Sequence, residues 1–326
     1  MNRQTIPHDS TIMVTGGAGF IGSDLVRKLD KIPSFKRIYV VDSFTYAADV
    51  RRLDNVSNKL EVIQSDISEI GNYRSALNEC EYVVHMAAES HVDRSIESGY
   101  KFVSSNVLGS YVVLEECRKN PKISLVHVST DEVYGSKNQG ESRETDYLEP
   151  SSAYSASKAS SDLLALANYK THQQRVLVTR CTNNFGPYQN GEKFLPTVIN
   201  NALLGKPIPI YGNGQNQREW IHVSDHNDAI LTLLEKFSVG EIFNIGSGER
   251  INNLQLAKDV LEILGKSDEL ITFVEDRKGH DFRYALDSSK IRHLTGWKPQ
   301  HDYLHSLKTT VAWYQAWHER HRVIYS

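Results

Sequence analysis

Tyr154 and Lys158 stand four residues apart in an Ala- and Ser-rich stretch that begins after Pro150. On a helix they share a face, so a phenol and an ammonium point into one space. The neighbouring cation favours phenolate and lowers the tyrosine pKa, which makes Tyr154 a candidate base for an alcohol hydroxyl. A second set, Ser129-Thr130-Asp131-Glu132-Val133-Tyr134-Gly135, follows a β-branched run. Alcohol oxidation needs only a hydroxyl and the Tyr-Lys pair. Two adjacent carboxyls become useful when one proton must leave carbon and another must reach a departing hydroxyl. The plainer reading of the same two residues is a solvated acidic turn.

Such chemistry needs an electron acceptor, and the start of the chain offers a place for one. The run Ile12-Met13-Val14 leads into Gly16-Gly17-Ala18-Gly19-Phe20-Ile21-Gly22, which opens a helical pattern through Leu25, Val26 and Leu29. Gly16, Gly19 and Gly22 suit a tight turn, a close approach of pyrophosphate to bare backbone, and a helix laid close on a strand. The helix N-terminus offers free N–H groups to phosphate. Asp42 follows about 20 residues later at the end of the next run, where an acid takes ribose hydroxyls. A carboxylate there repels a 2′-phosphate, and no arginine stands at Ser43 or Phe44, so the expected cofactor is NAD rather than NADP. Its cationic ring reinforces the pull of Lys158 on Tyr154. Asp66 is read either as an acceptor for the adenine amino group or as a cap on the following turn. Met86-Ala87-Ala88 supplies small residues where the cofactor passes close to the chain.

These residues must be positioned by a scaffold, and its pattern is regular. Six short β-branched runs, at 12–14, 38–41, 60–63, 82–85, 125–128 and 176–178, alternate with helical stretches. Continuous runs indicate strands covered on both faces, and strand-helix alternation indicates an α/β fold, a Rossmann-type doubly wound parallel sheet. Ligands on such a sheet lie beyond the carboxyl ends of the strands, where the glycine loop, Asp42 and the Asp-Glu pair all fall. We expect a nucleotide-binding domain over residues 10–182, with a later segment near 220–245 returning to it. A smaller mixed α/β lobe is expected over 183–326, with a cleft between the two. Within that lobe, helices are expected near Leu195–Leu204 and over Ile251–Gly265, the second capped by Asn252 or Asn253 and stopped by Gly265.

The 326 residues carry 37 Lys and Arg against 40 Asp and Glu, a formal net charge of -3, which leaves no global basic field for nucleic acid or an anionic membrane. Cys80, Cys117 and Cys181 lack metal or redox spacing and are expected to be reduced and buried. His222 and His226 lack a supporting carboxylate pattern, so no metal is expected, and both read as surface or satisfied histidines. No apolar stretch of about 18 residues occurs, and the polar start MNRQTIPHDS is unlike a secretory signal, so the expected location is cytoplasmic.

With these motifs in place, the chain resembles the extended short-chain dehydrogenase/reductases, and among them the dTDP-glucose 4,6-dehydratases. The resemblance runs from Thr15–Gly22 to Gly296-Trp297-Lys298-Pro299. It is carried best by Ala87-Ala88-Glu89-Ser90-His91-Val92-Asp93-Arg94-Ser95, by the Thr130-Asp131-Glu132 set, and by Ser151–Asp162 around Tyr154 and Lys158. It implies tightly held NAD, regenerated in each cycle and contacted by the glycine loop with Phe20 and Ile21, by Asp42, Asp66 and Ile67, by Ala87, Ala88 and Ser90, and by the Tyr-Lys pair. It also implies a nucleotide-diphosphate sugar substrate held by Ser90, Asn184, Glu192, Lys193, Arg218, Asn253, Arg277 and His280. Tyr154 and Thr130 then act at the C4 hydroxyl, Glu132 at C5 and Asp131 at the C6 hydroxyl. Two helices, near 100–118 and 154–169, are implied as a homodimer contact.

Three departures bear on base preference and cofactor retention: Phe185 in place of a tyrosine, Lys278 in place of a proline, and a short segment between Gly135 and Glu144. The alternatives are dehydration of UDP-glucose or another nucleotide sugar, a nucleotide-sugar 4-epimerase, and a non-catalytic NAD-binding module.

Overall fold

The structure is a computed structural model that describes residues 6–322. The first five residues of the polar start and the last four of the expected second lobe lie outside the described residues. In chain order, the first half contains β1 (Ser10–Thr15), α1 (Phe20–Asp30), β2 (Phe35–Asp42), β3 (Leu60–Gln64), α2 (Arg74–Asn78) and β4 (Tyr82–His85). After these come α3 (Val92–Glu97), α4 (Tyr100–Phe102), a π-helical stretch at Val103–Gly109, α5 (Ser110–Arg118), β5 (Ser124–Thr130), a single 3₁₀ turn at Asp131–Tyr134, α6 (Ala153–His172) and β6 (Val176–Cys181). The second half contains β7 (Asn183–Phe185), α7 (Phe194–Leu204), β8 (Ile208–Tyr211), β9 (Gln217–His222), α8 (Val223–Glu235), β10 (Ile242–Ile245) and β11 (Arg250–Asn252). It ends with α9 (Asn253–Leu264), β12 (Ile271–Val274), α10 (Ser289–Thr295) and α11 (Tyr303–Arg322).

Seven strands form one parallel sheet in the order β10-β6-β5-β4-β1-β2-β3. All six runs expected as strands lie in it. Strand residues alternate between two apolar layers: Ile12 and Val14 pack with Leu25 and Leu29 of α1 and Leu233 of α8, while Met13 packs with Leu77, Leu114 and Ala165 on the other face. Burying each such side chain contributes about 1.5–3 kcal/mol, which holds α1 and α6 rigidly on the sheet. One expectation fails. β3 is the sheet edge, and Glu61 and Val62 are exposed, so its continuous run does not mark a strand covered on both faces. The last strand to join is β10, which pairs with β6, and α8 packs on α1.

The order reverses between β1 and β4, the crevice where open α/β sheets bind ligands. Beyond it, a three-stranded sheet β11-β9-β7 and a two-stranded sheet β12-β8 pack with α7, α9 and α11 around Phe185, Leu195, Trp220, Leu256 and Val311. Asn252 caps α9 by accepting from the Gln255 amide at 2.7 Å, and Gly265 ends it at φ +62°. Among the described residues no helix is long and apolar enough to cross a membrane.

Candidate active site

Two adjoining cavities, about 270 and 300 Å³, lie at the carboxyl ends of the strands and share Gly19, Ala47, Met86 and Ala88. The second runs over Gly16, Asp42, Asp66, Ile67 and Ala87 to Tyr100 and Ser104. The first contains Phe20, Ile21, Ser90, Thr130, Asp131, Glu132, Tyr154 and Lys158, together with Asn184, Glu192 and Lys193 from the second half of the chain.

The glycine loop shows why its residue types are needed. Gly16 has φ +72°, and a Cβ there would lie 2.9 Å from the Ala87 backbone, so the β1 and β4 loops can approach only without a side chain. A Cβ on Gly22 would meet the Gly16 carbonyl oxygen at 2.3 Å, so the helix could not lie against the loop. Gly19 caps α1 with no side-chain hydrogen bond and no acid in the first turn, leaving the first amides of the helix open to an anion. Asp42 is buried and accepts from the amides of Ala18 and Phe44, each at 3.0 Å. Burial raises its pKa while these two amides act against the rise. Asp66 takes the capping role: its Oδ1 accepts from the Ser68 amide at 2.8 Å and hydroxyl at 2.7 Å, and it lines the cavity as well. An uncapped helix end, bare backbone and the buried Asp42 carboxylate at the end of β2 are groups whose chemistry fits NAD.

Thr130, the last residue of β5, caps the 3₁₀ turn by accepting from the Glu132 amide at 3.3 Å and bonds Asp131 Oδ1 at 3.2 Å. Asp131 Oδ2 is buried without a hydrogen-bond partner. Burial first, then Glu132 and Glu219, hold the Asp131 pKa well above the usual carboxylate range. Burial also raises Glu132, but Arg218, Arg277 and Lys193 pull it back. Both carboxyls are thus raised, Asp131 the more strongly, because the three cations act on Glu132 while Asp131 is opposed mainly by Arg218 and Thr130. Without the cationic ring that the expected activation of Tyr154 includes, the protein alone acts on the phenol in the opposite direction. Burial and the nearby Glu132 push the phenol well above its ordinary pKa, with hydrogen bonding to Thr130 opposing them. Lys158 directs its Nζ to the Val128 carbonyl at 2.8 Å, and burial lowers its own pKa.

The remaining expected substrate residues form a cluster outside both cavities. Arg218 is buried over the Tyr284 ring, 4.3 Å from its centre, and donates to the carbonyls of Gln217 and Asp281 at 2.8 and 2.9 Å. Arg277 pairs with Asp93 at 3.0 Å, His280 bonds Asp276 at 2.6 Å, and Asn253 donates its amide to the Asn216 carbonyl. Lys193 donates to the Ser90 carbonyl, and Glu192 accepts from Arg94 at 2.8 Å. Asn184 donates to the Thr182 carbonyl at 3.0 Å, with its Oδ1 buried and unpartnered. Phe185 packs edge-on to Trp220, His222 and Tyr303 in the second core, and Lys278 is exposed, so neither departure reaches a cavity.

Sequence reasoning missed Cys181, which lines the first cavity at the end of β6, a position that the strand-end rule singles out. It also missed Asn106, whose side chain clamps both backbone groups of Glu89 at 2.8 and 2.9 Å and bonds Ser157. The three cysteines are free and buried. His222 caps α8 and stacks on His301, whereas His226 is fully buried with Nε2 unpartnered, unlike the surface or satisfied histidine expected. Among the described residues no group of three metal-ligating side chains forms.

A family model described as the NAD dependent epimerase/dehydratase family matches residues 12–246. A dTDP-glucose 4,6-dehydratase of Streptomyces niveus is 42% identical, covering 94% of both chains. A dTDP-glucose 4,6-dehydratase from Streptomyces venezuelae, solved with NAD bound, superposes with a TM-score of 0.91 at 42% identity, over 94% of this chain and 97% of that one. A UDP-glucose 4-epimerase of Thermus thermophilus, in complex with NAD, gives a TM-score of 0.86 at 26% identity, over 94% of this chain and 99% of that one.

Proposed function

The chain belongs to the NAD dependent epimerase/dehydratase family, and we propose that within it the protein is a hydro-lyase converting dTDP-glucose to dTDP-4-keto-6-deoxyglucose. The observation that carries this reading is the adjacent carboxyl pair Asp131 and Glu132, which shares a cavity with Tyr154 and Lys158. Epimerisation at C4 has no use for an acid and a base beside the phenol. Elimination of water across C5 and C6 needs both.

Tyr154 accepts the proton of the C4 hydroxyl, with Thr130 bonding the same oxygen. Bound NAD supplies a cationic ring that favours phenolate and a hydride acceptor at C4 that becomes the donor at C6, so no net oxidation results. The C4 ketone acidifies the C5 hydrogen, and Glu132 removes it as a proton. Its raised pKa makes it a stronger base than an ordinary carboxylate, and Arg218, Arg277 and Lys193 oppose the rise. Asp131, held protonated by burial, delivers its proton to the C6 oxygen as the C6–O bond breaks and water leaves. Glu132 then returns a proton to C5. Lys193, Arg218 and Arg277 suit the diphosphate, the two arginines being permanently charged with forked donors. Asn184, Asn253, Glu192 and His280 supply neighbouring polar contacts.

Two copies associate, in this reading, through the helices that expose Tyr100, Val103, Leu108, Tyr111 and Leu163. Incubation with dTDP-glucose, UDP-glucose and their galacto isomers, read by product mass, tests the assignment. The expected result is a product lighter by one water from dTDP-glucose. Interconversion of gluco and galacto forms at unchanged mass replaces the reading with an epimerase, and water loss from UDP-glucose alone replaces the base.

A further inference from the structure

A buried charged network lies behind the first cavity and touches none of its space. Asp162 stands one helical turn beyond Lys158 on α6 and is fully buried. Its Oδ2 accepts from Arg180 Nε at 2.9 Å, and its Oδ1 lies 3.4 Å from His127 Nε2. Arg180, buried on β6, donates Nη1 to the Tyr134 hydroxyl at 2.8 Å and lies over that ring, 4.8 Å from its centre. The hydroxyl in turn donates to Asn244 Oδ1 at 2.8 Å, and Asn244, on β10, donates to the carbonyls of Ser142 and Asp287. Asp162, Arg180, Tyr134 and Asn244 line neither cavity.

Stability alone does not account for such a pair, because stripping water from two charges offsets most of their attraction and apolar residues of equal volume hold a core as well. What charges add is direction. Tyr134 is the last residue of the 3₁₀ turn that begins with Asp131 and Glu132. The outer side of that turn is pinned by the Glu149 amide on the Val133 carbonyl at 3.1 Å, and by Gly135, where a Cβ would lie 2.2 Å from the Glu149 carbonyl oxygen. Its inner side packs on Ala159 of α6 through Val133 and Tyr134, and the directional tie is the Tyr134 hydroxyl, which accepts from Arg180, itself bonded to Asp162 on the helix that carries Tyr154 and Lys158.

We propose that Asp162, Arg180 and Tyr134 are positioning residues that fix the Asp131–Glu132 turn relative to α6, so that water elimination, rather than C4 oxidation, depends on the Tyr134 hydroxyl. The inference rests on the dehydratase reading. Oxidation uses groups on α6 and β5, which stay in place when the hydroxyl is removed. Elimination uses the turn itself, and sub-ångström to 1 Å misplacement of a reacting group is enough to slow a step by about tenfold or more.

The test compares the parent enzyme with Tyr134→Phe and Arg180→Lys, each checked by thermal unfolding. With dTDP-glucose the measurements are kcat, KM, the steady-state level of reduced nicotinamide, and solvent deuterium incorporated at C5. For Tyr134→Phe we expect kcat to fall about tenfold, KM to stay within about twofold, and reduced nicotinamide to accumulate while C5 exchange slows. Arg180→Lys, which keeps a charge beside Asp162 but cannot fork to Tyr134, shows the same split. A folded Tyr134→Phe enzyme with parental kcat, or with oxidation and elimination slowed equally, overturns the proposal. So does failure of both variants to fold, which assigns the network to stability. A parent enzyme that does not dehydrate any nucleotide glucose defeats the dehydratase reading instead, and is recognised before the variants are compared.

Discussion

Asp131 and Glu132 are chemically similar neighbours that the protein makes unlike: one is buried with an unpartnered oxygen, the other faces three cations. Glu132→Gln preserves shape and removes the base, so we expect kcat for dehydration to drop by about 10²–10⁴-fold while substrate still reduces the bound nicotinamide. Unchanged water loss, followed by product mass, would refute the role. Asp131→Asn probes the opposite side of the same arrangement. A carboxyl whose folded pKa is raised holds its proton in the folded state after the unfolded chain has released it. Its favourable contribution is therefore complete below the unfolded value, near 3.9, and is lost as pH rises through the folded value. The amide carries no such penalty. Asp131→Asn should therefore gain about 1 kcal/mol over the parent at mildly alkaline pH, with a smaller gap near about pH 5, while losing activity. Thermal unfolding at the two pH values decides it, and a gap that narrows with rising pH contradicts the assignment. Tyr154 marks the limit of reading chemistry from spacing. The four-residue separation correctly put phenol and ammonium on one face, but burial and two carboxyls, all set by tertiary packing, govern the phenol before the cofactor arrives.

Elements set these environments, and α1 shows how closely. Gly22 and Gly19 both lie against the Gly16 carbonyl, but unequally: a Cβ on Gly22 would meet that oxygen at 2.3 Å and further backbone within 3.0 Å, whereas one on Gly19, at an ordinary φ of −72°, would meet the oxygen alone at 3.1 Å. Gly22→Ala should lose about 1–3 kcal/mol of stability and NAD affinity together, because the helix must move off the loop. Gly19→Ala should cost less than about 1 kcal/mol in unfolding, yet weaken NAD binding, because the new methyl sits where both cavities meet. Calorimetric titration with NAD beside thermal unfolding separates the two, and a Gly19→Ala protein that binds NAD normally would remove the loop from the cofactor site. Elements of this kind were readable because periodicity, caps and glycine positions are local. The strand runs, α7, α9 with its Asn252 cap, and the strand-end placement of Asp42 and Thr130 all follow from neighbours in sequence. β3 was misread because an edge strand and a central one can share the same apolar run. The Asp162–Arg180–Tyr134 network was invisible because its partners lie 18 to 46 residues apart and meet only in the packed core.

At the scale of the whole molecule, one helical face among the described residues exposes several large apolar side chains. The helices from Tyr100 to Arg118 and α6 pack side by side and expose Val103, Leu108, Tyr111 and Leu163, with Tyr100 80% exposed. Contiguous apolar faces of this kind mark interaction sites, and a self-complementary pair of helices suits a two-fold contact in which each copy covers the other. The same helices carry Tyr154, Lys158 and Ser104 at the two cavities, so a contact that covered the outer face would be expected to stiffen both sites. Sedimentation equilibrium should therefore give twice the chain mass. Val103→Glu combined with Leu163→Glu places two charges on this exposed apolar face. That double variant should sediment as a monomer, unfold at lower temperature and bind NAD more weakly, although neither residue lines a cavity. A parent protein that stays monomeric at every concentration removes the contact. A monomeric double variant with parental NAD affinity keeps the dimer and rejects its coupling to the cofactor site, because the helices would then hold their inner faces in place unaided.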